Sequence, residues 1–219
     1  MTISIEGNIA SGKTTILRTL IGRPDVFVVE EPVDIWREFG TLELFYKDPI
    51  RMAPTFQLLI LFHLADHYKR ALENAPFGTK YIIFERSPFS AVNIFAKMFK
   101  NMPDRFYQLA ENILFECKMD LFIYLSTDPK TCWERTMIRG RREEANMELS
   151  YFEEIDRMTC KAFAQHSLLC ISSDDDLNEI VDTLPKILKC FDREDIVVVT
   201  TENVRVSNQF VLLDELEIV

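Results

Sequence analysis

Residues 7 to 14 are the first in the chain whose spacing predicts chemistry. They read GNIASGKT, fit the pattern G-x-x-x-x-G-K-[ST], and stand between an apolar run and a helical pattern. In this pattern the glycines let backbone N–H groups face phosphate oxygens, Lys13 reaches the β- and γ-phosphates, and Thr14 offers a hydroxyl to magnesium. The alternative, a chance glycine turn, explains neither the spacing nor the flanks. We therefore expect binding of ATP with magnesium. The expected phosphate-binding residues are Gly7, Asn8, Ile9, Ala10, Ser11, Gly12, Lys13, Thr14 and Thr15.

Acidic residues and an arginine follow two further apolar runs. Glu30 and Glu31 come directly after the second run, and Glu85 and Arg86 come after the third. Phosphoryl transfer needs a carboxylate that accepts the proton of the acceptor hydroxyl, and cations around the transferred group. Taken alone, Glu30 and Glu31 could equally be exposed loop acids. A phosphate loop in the same chain favours the catalytic interpretation.

A third cluster, residues 135 to 144, reads RTMIRGRREE and places four arginines before two glutamates. The whole chain has a formal net charge of −10, so the positive charge here is local. A protein with this acidic balance has no general field that attracts nucleic acid or an anionic membrane, and we expect neither as a partner. A solvated helix face is the alternative for the arginines. Beside a phosphate loop, an arginine-rich lid over residues 135–147 is the better interpretation.

Short apolar runs alternate with helical patterns along the chain. The runs predict buried strands at residues 3–5, 26–29, 81–84, 121–125 and 168–171. Helices are expected near residues 13–21, 55–74, 89–99, 104–117, 129–139, 149–165 and 177–190. This alternation predicts an α/β fold with a five-stranded parallel sheet flanked by helices. Ligands of such sheets bind beyond the carboxyl ends of the strands, where the polar motifs lie.

The composition predicts one domain. The chain has 219 residues, of which 47% are hydrophobic, and no linker divides residues 1–191 from a β-rich extension at 192–219 that adds a hairpin or a strand.

Five cysteines without a C-x-x-C pair argue against a disulfide framework and a zinc site. A strand pattern that starts almost at Met1 leaves no room for a targeting peptide, and no apolar run reaches eighteen residues. We therefore expect a cytoplasmic protein.

The motifs together resemble the deoxynucleoside kinase family of the thymidine kinase 2, deoxycytidine kinase and insect multisubstrate type. GNIASGKTT, EEPVDIW, YKDPIRMAPTFQ, ERSPFS and RGRREE occur in the family's order and near its spacing, over residues 3 to 190. The resemblance implies the P-loop nucleoside kinase fold and transfer of phosphate from ATP to the 5′-hydroxyl of a deoxynucleoside. It also implies a homodimer, and feedback by a deoxynucleoside triphosphate that occupies both substrate sites.

The resemblance assigns the reacting groups. Glu31 matches the general base that takes the proton of the 5′-hydroxyl, Arg86 matches the arginine that holds this hydroxyl and the phosphoryl group, and Glu85 matches the acid near magnesium. The lid residues Arg135, Arg139 and Arg141 match arginines that neutralise the transferring phosphoryl group, whereas Arg142 lies at a variable position. Asp174 lies in a loop that approaches the adenine of ATP in the family.

The resemblance also assigns the nucleoside pocket. Gln57 matches the residue whose amide reads the base with one donor and one acceptor side by side. Tyr46 and Glu144 match the pair that binds the sugar 3′-hydroxyl, and Glu143 is then only a neighbour. The remaining residues expected at the base are apolar: Trp36, Phe56, Ile60, Leu64, Ala91 and Phe95.

Base selectivity depends on two of these positions. Leu64 and Ala91 stand where relatives that prefer deoxycytidine or deoxyguanosine carry an arginine and an aspartate. An apolar space suits the methyl group of thymine, so a thymidine or broad pyrimidine preference is expected. Pro88 after the ERS motif, and the sequence VNIF at residues 92–95, depart from the family pattern with no effect that the sequence reveals.

Two other functional classes compete with this interpretation. A thymidylate-kinase-like nucleoside monophosphate kinase shares the phosphate loop, but its E-P-G-G turn differs from EEPVDIW here. A non-catalytic member of the fold would have lost its reactive residues, and this chain retains them. His63 and His67 have the i, i+4 spacing of metal ligands, but no third ligand accompanies them, so no zinc site is predicted.

Overall fold

One parallel sheet runs through the computed structural model, which describes residues 1–164, 168–172 and 210–212. The strand order is β2-β3-β1-β4-β5-β6, so the first strand lies near the centre of the sheet. The five predicted strands are confirmed within two residues of their expected bounds. The strands are β1 Thr2–Gly7, β2 Val26–Val29, β3 Tyr81–Glu85, β4 Leu121–Ser126, β5 Leu168–Ser172 and β6 Phe210–Leu212.

The sixth strand comes from the β-rich extension. Its three residues pair in parallel with β5, and Leu168 lies opposite Phe210. The extension therefore contributes a strand to the sheet. The remainder of the extension, the helix expected near residues 177–190, and Asp174 lie outside the described residues.

Helices connect the strands and cover both faces of the sheet. The helices expected near residues 13, 104, 129 and 149 are found. The helix expected near residue 89 is instead three short segments: an α-helical turn, the π-helix Ala91–Phe95 and the 3₁₀ turn Ala96–Met98. The sequence pattern did not predict the two short helices α2 and α3. The helices are α1 Lys13–Thr19, α2 Val33–Glu38, α3 Thr41–Lys47, α4 Pro49–Asn74, α5 Pro88–Ser90, α6 Asp104–Glu116, α7 Pro129–Arg139 and α8 Leu149–Phe163, with a further 3₁₀ turn at Arg142–Glu144.

The long helix α4 begins six residues earlier than expected, and Pro54 explains the difference. A proline inside a helix removes one N–H donor and leaves the carbonyl four residues earlier unpaired. Here that carbonyl belongs to Ile50, and the Asn101 side-chain amide donates to it at 2.6 Å. The helix starts with Pro49 in its first position and Asp48 as the cap, which accepts from the Arg51 N–H. The proline is thus accommodated, and the helix continues through it.

The sheet separates two apolar clusters. Strand residues alternate between faces, so Ile3 and Ile5 point to one side with α1, while Ser4 and Glu6 point to the other. The first cluster contains Ile3, Ile5, Ile16, Leu17, Leu20, Tyr81, Ile83, Leu121, Ile123, Leu125, Leu169 and Ile171. The second packs α4 and α8 on the opposite face through residues such as Tyr68, Phe84, Phe122 and Phe163.

A third apolar cluster lies away from the sheet, where α2, α3, α4 and α6 meet. Phe45 stacks on Phe56 with ring centroids 4.5 Å apart, and Trp36 meets Phe56 edge to face at 6.1 Å. This cluster backs one wall of the cavity described below. None of the helices in the described ranges is long and apolar enough to cross a bilayer.

Removing side-chain volume at the sheet centre should destabilise the whole fold. Ile123 in β4 is fully buried in the first cluster, whereas Ile138 on α7 is 85% exposed. We expect Ile123→Ala to lower the free energy of unfolding by about 2–5 kcal/mol, because it leaves a cavity among packed neighbours. The matched change Ile138→Ala should cost less than about 0.5 kcal/mol. Urea unfolding followed by circular dichroism measures both, and equal losses would contradict this account of the core.

Candidate active site

The phosphate loop curls between the end of β1 and the start of α1. Ala10 and Gly12 have left-handed backbone conformations, with φ of 58° and 97°. A Cβ atom on Gly7 would lie 2.6 Å from the Ser11 hydroxyl and 3.0 Å from the Leu125 carbonyl oxygen, so only glycine fits there. The loop is thereby pressed against the end of β4. A loop with this curvature before a helix is the backbone form that a phosphate cradle requires.

Lys13 lies almost fully buried beneath this loop. Its ammonium group donates to the carbonyl oxygens of Asn8 at 2.6 Å and Gly7 at 3.3 Å, and it contacts the Ser11 hydroxyl at 3.5 Å. Burial, followed by the positive charge of Arg86, lowers the pKa of Lys13 to about 8, although nearby carboxylates oppose the shift. Burial therefore destabilises the charged form of the Lys13 side chain, which lies close to the loop.

Beside Lys13, the first helical turn meets the end of β3. The Thr14 hydroxyl donates to a carboxylate oxygen of Glu85 at 2.6 Å. The two residues are brought together because β1 pairs with β3, which places Ile5 opposite Glu85. A hydroxyl and a carboxylate in contact form a pair of hard oxygen ligands.

Arg86 follows Glu85 and has a left-handed backbone conformation, with φ of 64°. Its N–H donates to the Ile5 carbonyl at 3.1 Å, and its guanidinium lies 4.6 Å from the centre of the Phe95 ring. Arg86 Nε lies 3.3 Å from an oxygen of Glu31, whose side chain is 14% exposed. Burial raises the pKa of the Glu31 carboxyl, Glu85 and Glu6 add to the rise, and Arg86 and Lys13 oppose it. A buried carboxyl with a raised pKa beside an arginine has the properties of a general base.

A cavity of about 450 Å³ extends from the phosphate loop into the third apolar cluster. Glu31 and Arg86 line it between the loop and the apolar end. All the residues that we expected at the nucleoside line this one cavity: Glu31, Trp36, Tyr46, Phe56, Gln57, Ile60, Leu64, Arg86, Ala91, Phe95 and Glu144. Of the residues expected at the nucleotide, Ile9, Ala10, Gly12, Lys13, Thr14, Thr15, Arg135, Arg139 and Arg141 line it as well.

Gln57 is the polar group on α4 at the apolar end of the cavity. Its side chain is 1% exposed, and its Oε1 atom accepts no hydrogen bond from any described residue. A buried amide oxygen without a donor is costly, which favours a ligand as its partner. Across the cavity, burial raises the pKa of the Tyr46 phenol, so this group stays protonated and can donate a hydrogen bond.

Trp36 is fixed by a residue outside the expected site. Its indole N–H donates to Nδ1 of His63 at 2.7 Å, with the two rings nearly coplanar at 6° and therefore edge to edge. This hydrogen bond determines the orientation of the indole at the cavity wall.

The arginine-rich segment folds over the mouth of the cavity. Helix α7 ends at Gly140, which has φ of 66°, and the following 3₁₀ turn buries Glu144. Arg139 contacts both oxygens of Glu144 at 2.8 and 2.9 Å, and Arg141 contacts one at 3.3 Å. The sequence interpretation directed the arginines and Glu144 toward different substrates, whereas here they contact one another. Glu143, expected to be only a neighbour, pairs with Arg37 of α2 at 2.6 Å.

Comparison with known proteins decides the family. The sequence model of the family described as deoxynucleoside kinase matches residues 3–202. Human mitochondrial thymidine kinase 2 is 32% identical over 92% of this chain and 78% of its own length. Chicken deoxycytidine kinase 2 is 31% identical, with 70% of each chain covered, and Xenopus laevis mitochondrial deoxyguanosine kinase is 30% identical over 70% of this chain and 69% of its own.

The chain belongs to the deoxynucleoside kinase family. It is therefore a phosphotransferase, and ATP is the phosphate donor that the family implies.

The residues at the phosphate loop of this deoxynucleoside kinase fit a nucleoside triphosphate and a divalent cation. Gly7 permits the close approach of backbone, Lys13 supplies a buried cation, and Nη1 of Arg135 is buried without a hydrogen-bond partner in the described part of the chain. Thr14 and Glu85 offer two oxygen ligands. No group of three or more His, Cys, Asp or Glu is arranged as a metal site in the described ranges. Magnesium held by few protein ligands, with phosphates and water completing its shell, is consistent with this arrangement.

The sequence interpretation gave no role at this kinase's site to several residues that the structure places there. The cavity is also lined by Arg18, Val33, Asp34, Leu42, Phe45 and Tyr151, while His63 and Arg37 contact Trp36 and Glu143. Only Glu6, which approaches Arg86 outside the cavity lining, carried a signal in the sequence, as an acid inside the apolar pattern ISIEG. The others depend on chain segments far apart in sequence, which spacing cannot reveal.

The lowered pKa of Lys13 predicts a specific pH dependence of stability. Between pH 8 and the ordinary lysine pKa of 10.5, the unfolded chain binds a proton that the folded chain has lost, so stability due to Lys13 rises with pH. We expect the free energy of unfolding of the wild type, relative to Lys13→Met, to increase by up to about 3 kcal/mol over this range. Urea unfolding of both proteins at intervals from pH 7.5 to 10.5 measures the change. A difference that does not vary with pH would mean that Lys13 is not destabilised by burial.

Proposed function

We propose that this deoxynucleoside kinase transfers the γ-phosphoryl group of ATP to the 5′-hydroxyl of thymidine or another pyrimidine deoxynucleoside. The observation that carries the proposal is the buried Oε1 of Gln57, which accepts no hydrogen bond within the described part of the chain, in a cavity otherwise lined at this end by apolar groups. An amide held at the end of an aromatic slot suits a flat base with an adjacent donor and acceptor.

The selectivity for pyrimidines rests on the absence of charge at two lining positions. Leu64 on α4 and Ala91 in the π-helix are both buried, and both line the cavity. A charged base-reading pair at these positions would favour the exocyclic groups of cytosine or guanine, whereas apolar side chains tolerate the methyl group of thymine. The relatives bear names of thymidine, deoxycytidine and deoxyguanosine kinases, so the proposed preference comes from the pocket.

In the proposed reaction, Glu31 accepts the proton of the 5′-hydroxyl as that oxygen bonds to the γ-phosphorus and the bond to the β-phosphate oxygen breaks. The raised pKa of Glu31 brings it closer to the pH of reaction, which favours proton uptake. Arg86 lies against Glu31 and can hold the hydroxyl and the phosphoryl oxygens. Lys13 and Arg139 stabilise the negative charge, and magnesium held by Thr14 and Glu85 adds to this when it is bound.

Tyr46 and Glu144 are proposed to bind the 3′-hydroxyl of the sugar. A protonated Tyr46 donates, and Glu144 accepts while Arg139 and Arg141 hold its carboxylate. The contact of Arg139 and Arg141 with Glu144 links the lid to the nucleoside. In the proposed complex these two arginines hold Glu144, which binds the sugar, and also contact the phosphates of ATP. We also propose the homodimer and the feedback by a deoxynucleoside triphosphate that the family implies. The continuity of the cavity from phosphate loop to base pocket supports the second.

A nucleoside panel with ATP and magnesium tests the substrate class. We expect thymidine and deoxyuridine to be phosphorylated with higher kcat/KM than deoxyadenosine and deoxyguanosine, and thymidine monophosphate to be inert. Gln57→Leu keeps the volume but removes the amide, and should lower kcat/KM for thymidine by about 100-fold or more, because the base loses its paired hydrogen bonds.

The panel also separates this proposal from its nearest rival. Efficient turnover of thymidine monophosphate with none of the nucleosides would identify a nucleoside monophosphate kinase instead.

The matched control for Gln57→Leu is Gln108→Leu, at an exposed position on α6. This variant should leave kcat/KM for thymidine unchanged.

Glu31→Gln tests the assignment of the general base. The variant keeps the size and one acceptor oxygen but cannot take up a proton, so kcat for thymidine should fall about 100-fold or more, with a smaller change in KM. Steady-state kinetics at saturating ATP measures this. Glu116→Gln is the control, because Glu116 pairs with Lys69 at the surface away from the cavity and should retain full turnover. Normal turnover in Glu31→Gln would remove Glu31 from this role.

A further inference from the structure

Glu6 is a buried acid that the proposed reaction does not use. It lies one residue before the end of β1, in the middle of the sheet, and its side chain has no exposed surface. One carboxylate oxygen, Oε1, accepts from the Ser4 hydroxyl at 2.7 Å and from the Ser87 hydroxyl at 2.8 Å. The other oxygen, Oε2, accepts no hydrogen bond within the described ranges, and Nη1 of Arg86 lies 3.9 Å from it.

An acid at this position is costly to the fold. Burial raises the pKa of Glu6, against the combined effect of Arg86 and the hydroxyls of Ser4, Ser87 and Ser90. An apolar residue would fill the same space in the strand without this cost. Buried acids with perturbed pKa values cluster at functional sites, which makes Glu6 a candidate for a local function.

Glu6 contacts both residues of the turn that positions Arg86. The left-handed conformation of Arg86 costs about 1–2 kcal/mol for a residue with a side chain, so surrounding contacts must maintain it. The Ser87 hydroxyl donates to Oε1 of Glu6, and the Arg86 guanidinium forms an ion pair with Oε2 at 3.9 Å, beyond hydrogen-bond distance. Glu31 contacts the guanidinium at a different atom, Nε. Arg86 is therefore held between two carboxylates.

The contacts of Arg86 with Glu31 and with Glu6 would change differently during the reaction. When Glu31 takes the proton of the 5′-hydroxyl, it becomes neutral and attracts Arg86 less strongly. Glu6 lies away from the cavity lining and keeps its contact with Arg86 throughout. The second carboxylate thus prevents the guanidinium from moving at the moment when the phosphoryl group needs it.

We propose that Glu6 is a positioning residue that, as a carboxylate, holds the Arg86 guanidinium in the orientation required for phosphoryl transfer. The inference rests on the proposed function for its effect on turnover. Its effect on the mobility of Arg86 is independent of any substrate.

Glu6→Gln is the informative substitution. The amide oxygen can still accept from Ser4 and Ser87, but the amide nitrogen replaces the oxygen that faces Arg86 and removes its charge. We expect kcat for thymidine to fall about 10–100-fold while KM changes less than about threefold, because the arginine is displaced rather than removed. Glu116→Gln is the matched control, since Glu116 is exposed and pairs with Lys69 far from the site, and it should leave kcat unchanged.

A double-mutant cycle shows whether Glu6 acts through Arg86. In an Arg86→Lys background, Glu6→Gln should have less than about a twofold effect, because the group that Glu6 holds is already altered. An equal loss in both backgrounds would show that Glu6 acts elsewhere. Normal kcat in Glu6→Gln would overturn the proposal. If Glu6→Gln unfolds, Glu6→Asp keeps the charge at a greater distance from Arg86, and should fold with an intermediate loss of kcat.

An NMR measurement separates this proposal from the proposed function. The Nη–H signals of Arg86, assigned by their loss in Arg86→Lys, should exchange with solvent at least tenfold faster in Glu6→Gln than in the wild type, because Glu6 faces Nη1. Unchanged exchange would overturn the positioning role even if the kinase is active on nucleosides. Faster exchange in Glu6→Gln, combined with a wild-type protein that phosphorylates no nucleoside, would instead leave the contact valid and reject the proposed function.

Discussion

The pairing of β1 with β3 is the constraint on which the site depends. It sets Ile5 opposite Glu85, so the phosphate loop and the ERS motif begin at the same level of the sheet. The Arg86 N–H then donates to Ile5, which fixes the turn, and the Thr14 hydroxyl reaches Glu85 from the first turn of α1. Two segments about 70 residues apart in sequence therefore meet with backbone precision, and their charged side chains become neighbours.

The charges gathered there do not balance among themselves. Glu6, Glu31 and Glu85 are three carboxylates, and Lys13 and Arg86 are the two cations among them. Burial opposes both kinds of charge, lowering the pKa of Lys13 and raising that of Glu31. An excess of acid at a site for triphosphate is unfavourable unless further cations enter. The lid arginines and the proposed magnesium have the charge that the site lacks.

The sequence predicted the sheet well and its connections less well, for physical reasons. Strands β1, β3 and β4 are short, mostly apolar runs buried on both faces, a signal that local pattern carries well. The start of α4 was wrong because Pro54 is accommodated by Asn101, a partner that local propensity cannot reveal. Helices α2 and α3 are only six and seven residues long, so they hold too few turns for a period to appear.

The site residues also differ in whether the local sequence reveals their role. The phosphate loop could be found because its chemistry lies within eight consecutive residues, whereas the role of Glu6 depends on Ser87 and Arg86, about 80 positions away. The residues that the resemblance assigns to the nucleoside all line one cavity, although they come from separate segments of the chain. The contacts that orient them, such as that of Trp36 with His63, come only from tertiary structure.

Helix α2 shows how such contacts join the two ends of the site. Adjacent residues on this helix face different partners: Trp36 donates to His63 on α4, and Arg37 pairs with Glu143 in the lid. The next lid residue, Glu144, is held by Arg139 and Arg141. Helix α2 therefore contacts both the helix that carries Gln57 and the segment that carries Glu144, and its Trp36 packs in the third apolar cluster.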